Sequence, residues 1–326
     1  GFPSVDAAVD CLRIGASDYI SKPFELHKIT ESVQVALRKR RRVLKTLASP
    51  SSVDAAIPIG YSFIRSLGEG ASGSVYLIIK DSNPEQLLAL KVLRINSYSP
   101  EQQKMTTRRF SHEIRAASMI NHPNVITVYG HGLSEVTEHP YVIMEYVPGQ
   151  PLSFFIRHNT LQLGSKIKIL KQVASALHAI HEKGICHRDV KPDNVLVNED
   201  LVPKLTDFGI AHLPDSDLTN TAQMLGSPSY MSPEAYLSAE ADHRSDIFAF
   251  GIVAYELLHG KRLFQGNSLV ELMNKICRNP PILPDDVSQE LPEKLRQMVI
   301  KCLSYCPEDR FQDAQEIADL LSTFGC

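Results

Sequence analysis

The sequence HRDVKPDN at residues 187–194 is the most informative part of this chain, and DFG follows it at residues 207–209. Together the two segments supply a carboxylate that can take up a proton, an ammonium group, and two oxygen donors for a metal ion. Such a set can neutralise negative charge as it moves, which the transfer of a phosphoryl group requires. The four groups belong to Asp189, Lys191, Asn194 and Asp207.

Two segments nearer the start complete the pattern, GEGASGSV at residues 68–75 and LALK at residues 88–91. Each motif alone is weak, because glycines and polar residues are common in surface turns. In this order and spacing the segments resemble the eukaryotic-like (Hanks-type) serine/threonine protein kinases. The form Asp-x-Lys-x-x-Asn is similar to serine/threonine rather than tyrosine kinases, although dual specificity stays open.

This resemblance covers residues 61–326. It implies an α+β fold of two lobes, the first rich in strands and the second helical. It also implies ATP as phosphoryl donor, magnesium as cofactor with manganese as an alternative, and serine or threonine hydroxyls of proteins as acceptors. Two other classes remain open: a catalytically silent pseudokinase that acts as a scaffold or nucleotide sensor, and a small-molecule phosphotransferase.

The glycine-rich segment predicts a turn that can lie close over a nucleotide, because Gly68, Gly70 and Gly73 have no side chains. An ordinary hairpin and a dinucleotide fingerprint are the alternatives. The fingerprint needs a helix directly after the glycines, whereas a strand-like run follows at residues 75–79. The kinase resemblance adds Val75 and Ala89 to the nucleotide-binding residues.

Lys91 lies in an apolar strand, where an unpaired ammonium group is costly to bury. The resemblance supplies its partners, the α and β phosphates of the nucleotide and a glutamate on the next helix. Glu113 is the candidate, and a solvated position on a helix face is its alternative. Residues 141–149 (YVIMEYVPG) resemble the hinge between the lobes. There the backbone of Glu145 and Val147 would bind adenine and Met144 would line the pocket.

Within residues 187–194 the resemblance gives each polar group a task. Asp189 would orient the acceptor hydroxyl and take its proton, and Lys191 would offset charge at the γ-phosphate. Asn194 would complete the catalytic set and, with Asp207, bind magnesium. Arg188 would hold a phosphorylated activation loop, where we favour Thr219 or Thr221 as the modified residue.

Three more residues have structural roles by resemblance. Glu234 and Arg310 would form a buried ion pair in the large lobe, and Asp246 would support the backbone of residues 187–194. His187 lies in an apolar-flanked turn, which favours a packed, hydrogen-bonded histidine over a chemical role.

Composition narrows the class of protein. A formal net charge of −3 argues against nucleic-acid binding, and no apolar run reaches the ~18 residues that a membrane span needs. The six cysteines show no CxxC pair, which favours reduced thiols and a cytoplasmic setting.

Pattern divides the chain into three zones: a leader at 1–48, a linker at 49–60 and a kinase domain at 61–326. In the last, the N-lobe is expected at about 61–144, the hinge at 145–149 and the C-lobe at 150–326. Alternating apolar residues predict strands at 74–79 and 87–93. Helical spacing predicts helices at 108–120, 167–183, 245–258, 268–277, 292–302 and 313–324.

The leader resembles the last third of a two-component receiver domain. Tyr19 would be the aromatic residue of its final strand, and Lys22 before Pro23 would contact phosphate. The phospho-acceptor aspartate of that family belongs to strands that would precede Gly1, so we expect this chain not to accept phosphate by that route. An upstream receiver and histidine kinase system is the implied partner, and an unrelated helical leader is the alternative.

Overall fold

The computed structural model describes residues 56–70, 73–93, 111, 114–134, 137, 139–207, 228–237, 241–266, 268–278 and 291–324. The predictions for the leader at 1–48, for Glu113, and for Thr219 and Thr221 therefore lie outside the described residues. Within the described ranges, no helix is both long and apolar enough to cross a membrane. The four cysteines found in these ranges are free thiols: Cys186, Cys277, Cys302 and Cys306.

The first part of the chain forms a five-stranded antiparallel sheet in the order β1-β2-β3-β5-β4. Both strands predicted from apolar alternation are present, and each is longer than predicted. The pairing of β2 with β3 continues up to the two-residue turn at 81–82. The strands are β1 (Tyr61–Gly70), β2 (Gly73–Lys80), β3 (Asn83–Leu93), β4 (Val128–Leu133) and β5 (Pro140–Glu145).

Strand β3 is buried on both faces from residue 88 to residue 93. Leu88, Leu90 and Val92 pack in one cluster on one side of the sheet. Ala89 belongs to a different and larger cluster, so the alternation of side chains along a strand places Lys91 on the same side as Ala89. Strand β3 therefore places Lys91 in the interior, next to the apolar cluster that contains Ala89.

The second part of the chain is mainly helical, as predicted. Five of the six predicted helices begin or end earlier than predicted, by up to four residues, because helix ends are the least certain part of a prediction from periodicity. Residues 114–117 are helical within the predicted helix at 108–120, which ends three residues early in a turn. The other helices are α1 (Leu152–His158), α2 (Leu163–His181), α3 (Pro233–Tyr236), α4 (His243–His259), α5 (Leu269–Ile276), α6 (Glu293–Cys302) and α7 (Ala314–Ser322).

Helix α4 is the centre of this part, with every residue from 246 to 258 buried. The Asp242 side chain accepts a hydrogen bond from the backbone N–H of Arg244 at its start. Gly260 ends the helix at φ 69°, a left-handed conformation that glycine adopts without steric cost. Capped at both ends and buried around its whole circumference from residue 246 to residue 258, α4 is held in place by its neighbours.

A short second sheet lies between the two parts and has the order β6-β7-β8. The loop before β4 pairs with it, because the backbone N–H of Ile126 donates to the Leu205 carbonyl and that of Leu205 donates to the Asn124 carbonyl. The Asn124 side chain adds a bond to the Pro203 carbonyl. The strands are β6 (Gly149–Pro151), β7 (Val195–Asn198) and β8 (Pro203–Leu205).

The predicted ion pair between Glu234 and Arg310 is confirmed. Two guanidinium nitrogens of Arg310 reach the two carboxylate oxygens of Glu234 at 2.7 and 2.8 Å, and the Arg310 side chain is 0% exposed. Burial alone would raise the pKa of Glu234, but hydrogen bonds from Arg310 and Ser245 outweigh it and lower the pKa to about 2. Three backbone carbonyls, of Ser304, Arg244 and Tyr305, accept the remaining Arg310 donors.

We predict that Arg310→Ala lowers the free energy of unfolding by about 3–5 kcal/mol, because it leaves the Glu234 carboxylate buried without its partner. Urea denaturation followed by circular dichroism measures the loss. Arg296→Ala is the matched control, since Arg296 pairs with Glu293 on the exposed face of α6 and should contribute little. Equal losses in the two variants would contradict a structural role for the buried pair.

Candidate active site

The hairpin of β7 and β8 brings together two residues that are separated in sequence. Asn194 ends the 3-10 turn just before β7, and Asp207 follows shortly after β8. The backbone N–H of Thr206 donates to the Asn194 carbonyl at 2.9 Å, which closes the open end of the hairpin. The amide and the carboxylate therefore project from neighbouring positions at one end of a two-stranded ladder.

The side chains of Asp189, Lys191 and Asn194 form one hydrogen-bonded group. The Asp189 Oδ2 atom accepts from Lys191 Nζ at 2.6 Å and from Asn194 Nδ2 at 2.9 Å. Asn194 Nδ2 also donates to the Asp189 carbonyl at 2.8 Å. Among the described residues no donor bonds to Asp189 Oδ1 or to the Asn194 amide oxygen, so each keeps an oxygen free to bind another group.

Asp246 anchors the backbone of this loop, as predicted. Its carboxylate, in a residue only 1% exposed, accepts from the backbone N–H groups of His187 at 2.7 Å and Arg188 at 2.8 Å. His181 Nε2 adds a third bond at 2.9 Å. Burial alone would raise the pKa of Asp246, but the hydrogen bonds from His181 and from the backbone N–H of His187 outweigh it, so the pKa lies below its ordinary value.

His187 is the packed histidine that the sequence predicted. It is 0% exposed, and its Nδ1 accepts from the backbone N–H of Asp189 at 3.3 Å, which assigns the proton to Nε2. Nε2 then donates to the Thr206 carbonyl at 3.0 Å. Burial lowers the pKa of His187 despite the carboxylates nearby, in keeping with a neutral ring. The imidazole thus ties the loop at residues 187–194, which we call the catalytic loop after its predicted role, to the β8 end of the hairpin.

Two residues of the site have left-handed backbone conformations. Arg188 and Asp207 both have φ 64°, which is unfavourable for residues with a Cβ atom. Such strain persists only where surrounding contacts hold it, and it concentrates at functional sites. The Asp246 bond to the Arg188 N–H supplies such a contact for the first of the two.

Lys91 reaches this group from the strand-rich part of the chain. Its Nζ lies 2.7 Å from Asp207 Oδ1, and the side chain of Lys91 is 6% exposed. A buried ammonium group needs an anionic partner, and Asp207 is that partner in this structure. The pair joins β3 to the end of the β7-β8 hairpin.

An apolar cluster lies beside the pair and contains the residues expected to surround adenine. Ala89 and Met144 are buried in it, and Val75 and Val147 pack against it. Leu67 packs there too and was missed by sequence reasoning, although an apolar residue directly before Gly68 was an available signal. Thr206 was also missed; its Oγ1 lies 4.0 Å from Met144 Sδ, under the same cluster.

The segment predicted to be the hinge, residues 145–149, is held in place through Glu145. Its backbone N–H donates to the Thr127 carbonyl at 2.9 Å, so only its carbonyl can offer a new backbone bond to a ligand. Its side chain pairs with Lys204 of β8 at 2.9 Å. These contacts hold the end of β5 against the second sheet.

The glycines of residues 68–73 divide into two kinds. A Cβ atom on Gly73 would lie 2.0 Å from the Val92 carbonyl oxygen, and its φ is 144°, so the pairing of β2 with β3 itself requires glycine there. Around Gly68 and Gly70 a Cβ atom would meet nothing within 4 Å. The space beside Gly68 and Gly70 at the end of β1 is thus open and can admit a ligand.

The Arg188 side chain is exposed and has no hydrogen bond or ion pair within the part of the chain that the structure describes. The segment it was expected to meet, with Thr219 and Thr221, lies outside that part, as does Glu113. The roles of Arg188, of Thr219 or Thr221, and of Glu113 therefore stay predictions from the sequence.

A family model described as the protein kinase domain matches residues 61–320. The chain belongs to the protein kinase family. The match spans the glycine-rich residues 68–75, the strand of Lys91, residues 145–149 and the loop held by Asp246, so the whole group of contacts above lies within the kinase domain.

Curated relatives include bacterial serine/threonine kinases. A probable serine/threonine-protein kinase of Clostridium acetobutylicum is 33% identical over 264 residues, 80% of this chain and 39% of the relative. The probable serine/threonine-protein kinase PknB of Lactococcus lactis is 36% identical over 81% of this chain and 42% of its own length. Serine/threonine-protein kinase PrkC of Bacillus subtilis is 34% identical over 81% and 40%. The chain therefore spans about two fifths of the length of these relatives.

We predict that Asp246→Asn loosens the catalytic loop, because a neutral amide cannot accept from both backbone N–H groups as a carboxylate does. Loss of a hydrogen bond to a charged group corresponds to about ten- to hundredfold faster amide exchange. Hydrogen-deuterium exchange resolved to His187 and Arg188 measures it. Asp242→Asn, a change at the exposed start of the same helix, should leave those two amides protected; unchanged exchange in Asp246→Asn would refute the anchor.

Proposed function

We propose that this kinase domain transfers the γ-phosphoryl group of ATP to serine or threonine hydroxyls of proteins in bacterial signal transduction. The observation that carries the proposal is the meeting of Lys91 and Asp207 beside the hydrogen-bonded group of Asp189, Lys191 and Asn194. Acids, amides and ammonium groups converge there next to an apolar cluster that suits a flat base. Phosphoryl transfer depends mainly on such positioning and charge compensation.

ATP would bind with its adenine ring in the cluster formed by Val75, Ala89 and Met144. The Glu145 carbonyl and the Val147 N–H would bond to the edge of the ring. The phosphates would lie under Gly68, Gly70 and Gly73, where open space at the first two and backbone N–H groups suit an anion. Lys91 would exchange Asp207 for phosphate oxygens, with Glu113 as its second partner.

Magnesium would be held by Asn194 and Asp207, with manganese as the alternative. The residues fit the ion: both donors are oxygens, the Asn194 amide oxygen is not engaged by the described residues, and Asp207 has a second carboxylate oxygen beyond the one that meets Lys91. When bound, the metal supplies positive charge to the phosphate oxygens.

Asp189 would take the proton of the acceptor hydroxyl through Oδ1, the oxygen that its neighbours leave free. The hydroxyl oxygen forms a bond to the γ-phosphorus while the bond from that phosphorus to the bridging oxygen breaks, and ADP leaves. Lys191, already 2.6 Å from Asp189 Oδ2, can turn its ammonium group toward the transferred phosphoryl oxygens. The Asp246 anchor keeps these side chains at fixed separations during the exchange.

We further propose that the kinase domain occupies residues 61–326, with the lobes dividing at the hinge, residues 145–149. Cytoplasmic ATP and reducing conditions suit both the reaction and the four free thiols. If the domain has this activity, the substrates of the whole protein are ATP and proteins with serine or threonine acceptors.

The leader at residues 1–48 is proposed to be the end of a receiver domain that couples aspartate phosphorylation to kinase output. Its support is the Lys22-Pro23 motif and the helical patterns on either side. The proposal predicts that the gene encodes receiver strands with an acceptor aspartate upstream, and that Asp→Ala at that acceptor changes kinase output. Sequencing upstream and assaying the variant check it; absent strands or unchanged output would reject it.

We predict that Lys91→Met and Asp189→Asn each reduce transfer of labelled phosphate from ATP to a generic protein acceptor by roughly a hundredfold or more, because they remove the phosphate partner and the base. A radiolabel transfer assay measures this. Lys275→Met and Asp319→Asn are matched controls, since both residues are exposed and remote from the site, and they should retain wild-type rates.

Circular dichroism and nucleotide binding accompany the assay. Wild-type protein that binds ATP and transfers nothing would identify a pseudokinase. Transfer to small molecules with none to proteins would favour a small-molecule phosphotransferase. Either result would reject the proposed function.

A further inference from the structure

One side of the five-stranded sheet, opposite to the side of Lys91, has an apolar surface that we call the outer face. Its centre is formed by the buried side chains of Ile78, Leu88, Leu90, Val92 and Ile143. Leu90 and Val92 flank Lys91 on β3, and successive side chains of a strand point to opposite sides of the sheet. The outer face therefore lies behind the strand that carries Lys91.

The chain enters this sheet across the outer face. The described part of the chain begins at Ala56, which is 5% exposed and belongs to the outer-face cluster, and Ile57 packs against that cluster. The backbone N–H of Asp81 then donates to the Gly60 carbonyl at 2.9 Å, which ties the start of β1 to the turn after β2. Because Ala56 packs within the cluster, the residues directly before it must reach Ala56 from the outer face.

Ala56 and Ile57 cover the outer face only in part. Tyr61 and Tyr76 pack against the cluster but are only partly buried. The ring of Phe63 meets that of Tyr76 edge-on, with 5.9 Å between the ring centroids, and Phe63 is 41% exposed. Aromatic rings beside an apolar cluster offer a large contact area to a further apolar segment.

The residues directly before Ala56 have the composition and the length to cover this area. Residues 43–55 (VLKTLASPSSVDA) include the apolar side chains of Val43, Leu44, Leu47 and Val53. An extended chain from Leu47 to Ala56 spans up to about 30 Å. Five strands at ~4.8 Å between neighbours are together only about 19 Å wide. The segment is therefore long enough to cross the sheet.

Net charge favours the same contact. Residues 1–55 contain nine lysines and arginines and six acidic residues, a formal charge of +3, so residues 56–326 carry −6 of the overall −3. Five of the nine cations form the run at residues 38–42, directly before Val43. Opposite net charges attract the segment to the rest of the chain, and this attraction weakens with salt.

We propose that the outer face is the docking surface for residues 43–55 of this chain. Leu44 and Leu47 would pack beside Phe63 and Tyr76 and bury apolar area there. The contact would connect the leader to the back of the strand that carries Lys91. It goes beyond the proposed reaction and holds whether the leader is the end of a receiver domain or an unrelated helical segment.

Photo-cross-linking in the intact chain tests the proposal. Phe63→p-benzoylphenylalanine keeps an aromatic side chain on the outer face, and irradiation followed by mass spectrometry identifies what lies against it. We expect an intramolecular cross-link from position 63 to residues 43–55 in monomeric protein. The same amino acid in place of Leu237, which is 57% exposed in the helical part of the chain, is the control and should not capture residues 43–55.

Leu44→Asp combined with Leu47→Asp should lower the yield of this cross-link by about tenfold, because carboxylates are costly to bury against an apolar surface. Leu12→Asp combined with Leu26→Asp is the matched control, since it adds the same charges to the leader outside residues 43–55. It should keep the wild-type yield. Thermal melting checks that the variants fold.

Three results would overturn the docking surface. A cross-linked dimer without the intramolecular product would assign the outer face to a second copy of the chain. Capture of another part of the same chain, or of no residue, would leave residues 43–55 without a place there. Equal yields in the two double variants would show that Leu44 and Leu47 do not make the contact. Phosphate transfer by the wild-type chain is measured separately, so the failure of this surface and the failure of the proposed function are distinguishable.

Discussion

The catalytic loop depends on one buried carboxylate. Asp246 lies on α4, the helix buried on all sides, and it receives the backbone N–H groups of His187 and Arg188 together with His181 Nε2. A buried backbone N–H without an acceptor is costly, so the loop can adopt this turn only because the Asp246 carboxylate accepts both N–H groups. The turn holds Arg188 in a left-handed conformation, and the side chains that follow are aimed from it. The two backbone hydrogen bonds from Asp246 to His187 and Arg188 thus hold the loop on the core.

Two buried cations of the structure are each paired with a carboxylate. Lys91 of β3 meets Asp207 at the site, and Arg310 meets Glu234 within the helical part. The two pairs differ in how completely they are satisfied. Arg310 also has carbonyl acceptors for its remaining donors, which suits a permanent brace, whereas the Asp207 side chain of the other pair stays 25% exposed, so that Lys91 can exchange it for another anion.

Local sequence patterns were enough to predict the two strands around Lys91 and the long helices. The residue types of the catalytic loop were enough to predict that its polar side chains come together. Resemblance added the Glu234–Arg310 pair and the Asp246 anchor, whose partners are too distant in sequence for periodicity to reveal. Helix α1 was missed because seven residues span only two turns, too few for a periodic signal. Leu67, Thr206 and His181 were missed because their roles arise from tertiary contacts. Gly73 was assigned to phosphate binding, yet strand packing alone requires it to be glycine.

The most direct test of this account is a crystal structure of the chain with magnesium and a non-hydrolysable ATP analogue. The account predicts that residues 187–194 keep their backbone conformation with both N–H groups on Asp246. It also predicts that Lys91 Nζ leaves Asp207 for a phosphate oxygen, and that Asn194 and Asp207 bind the metal. A nucleotide bound away from Lys91, or a catalytic loop rebuilt without its Asp246 bonds, would contradict it.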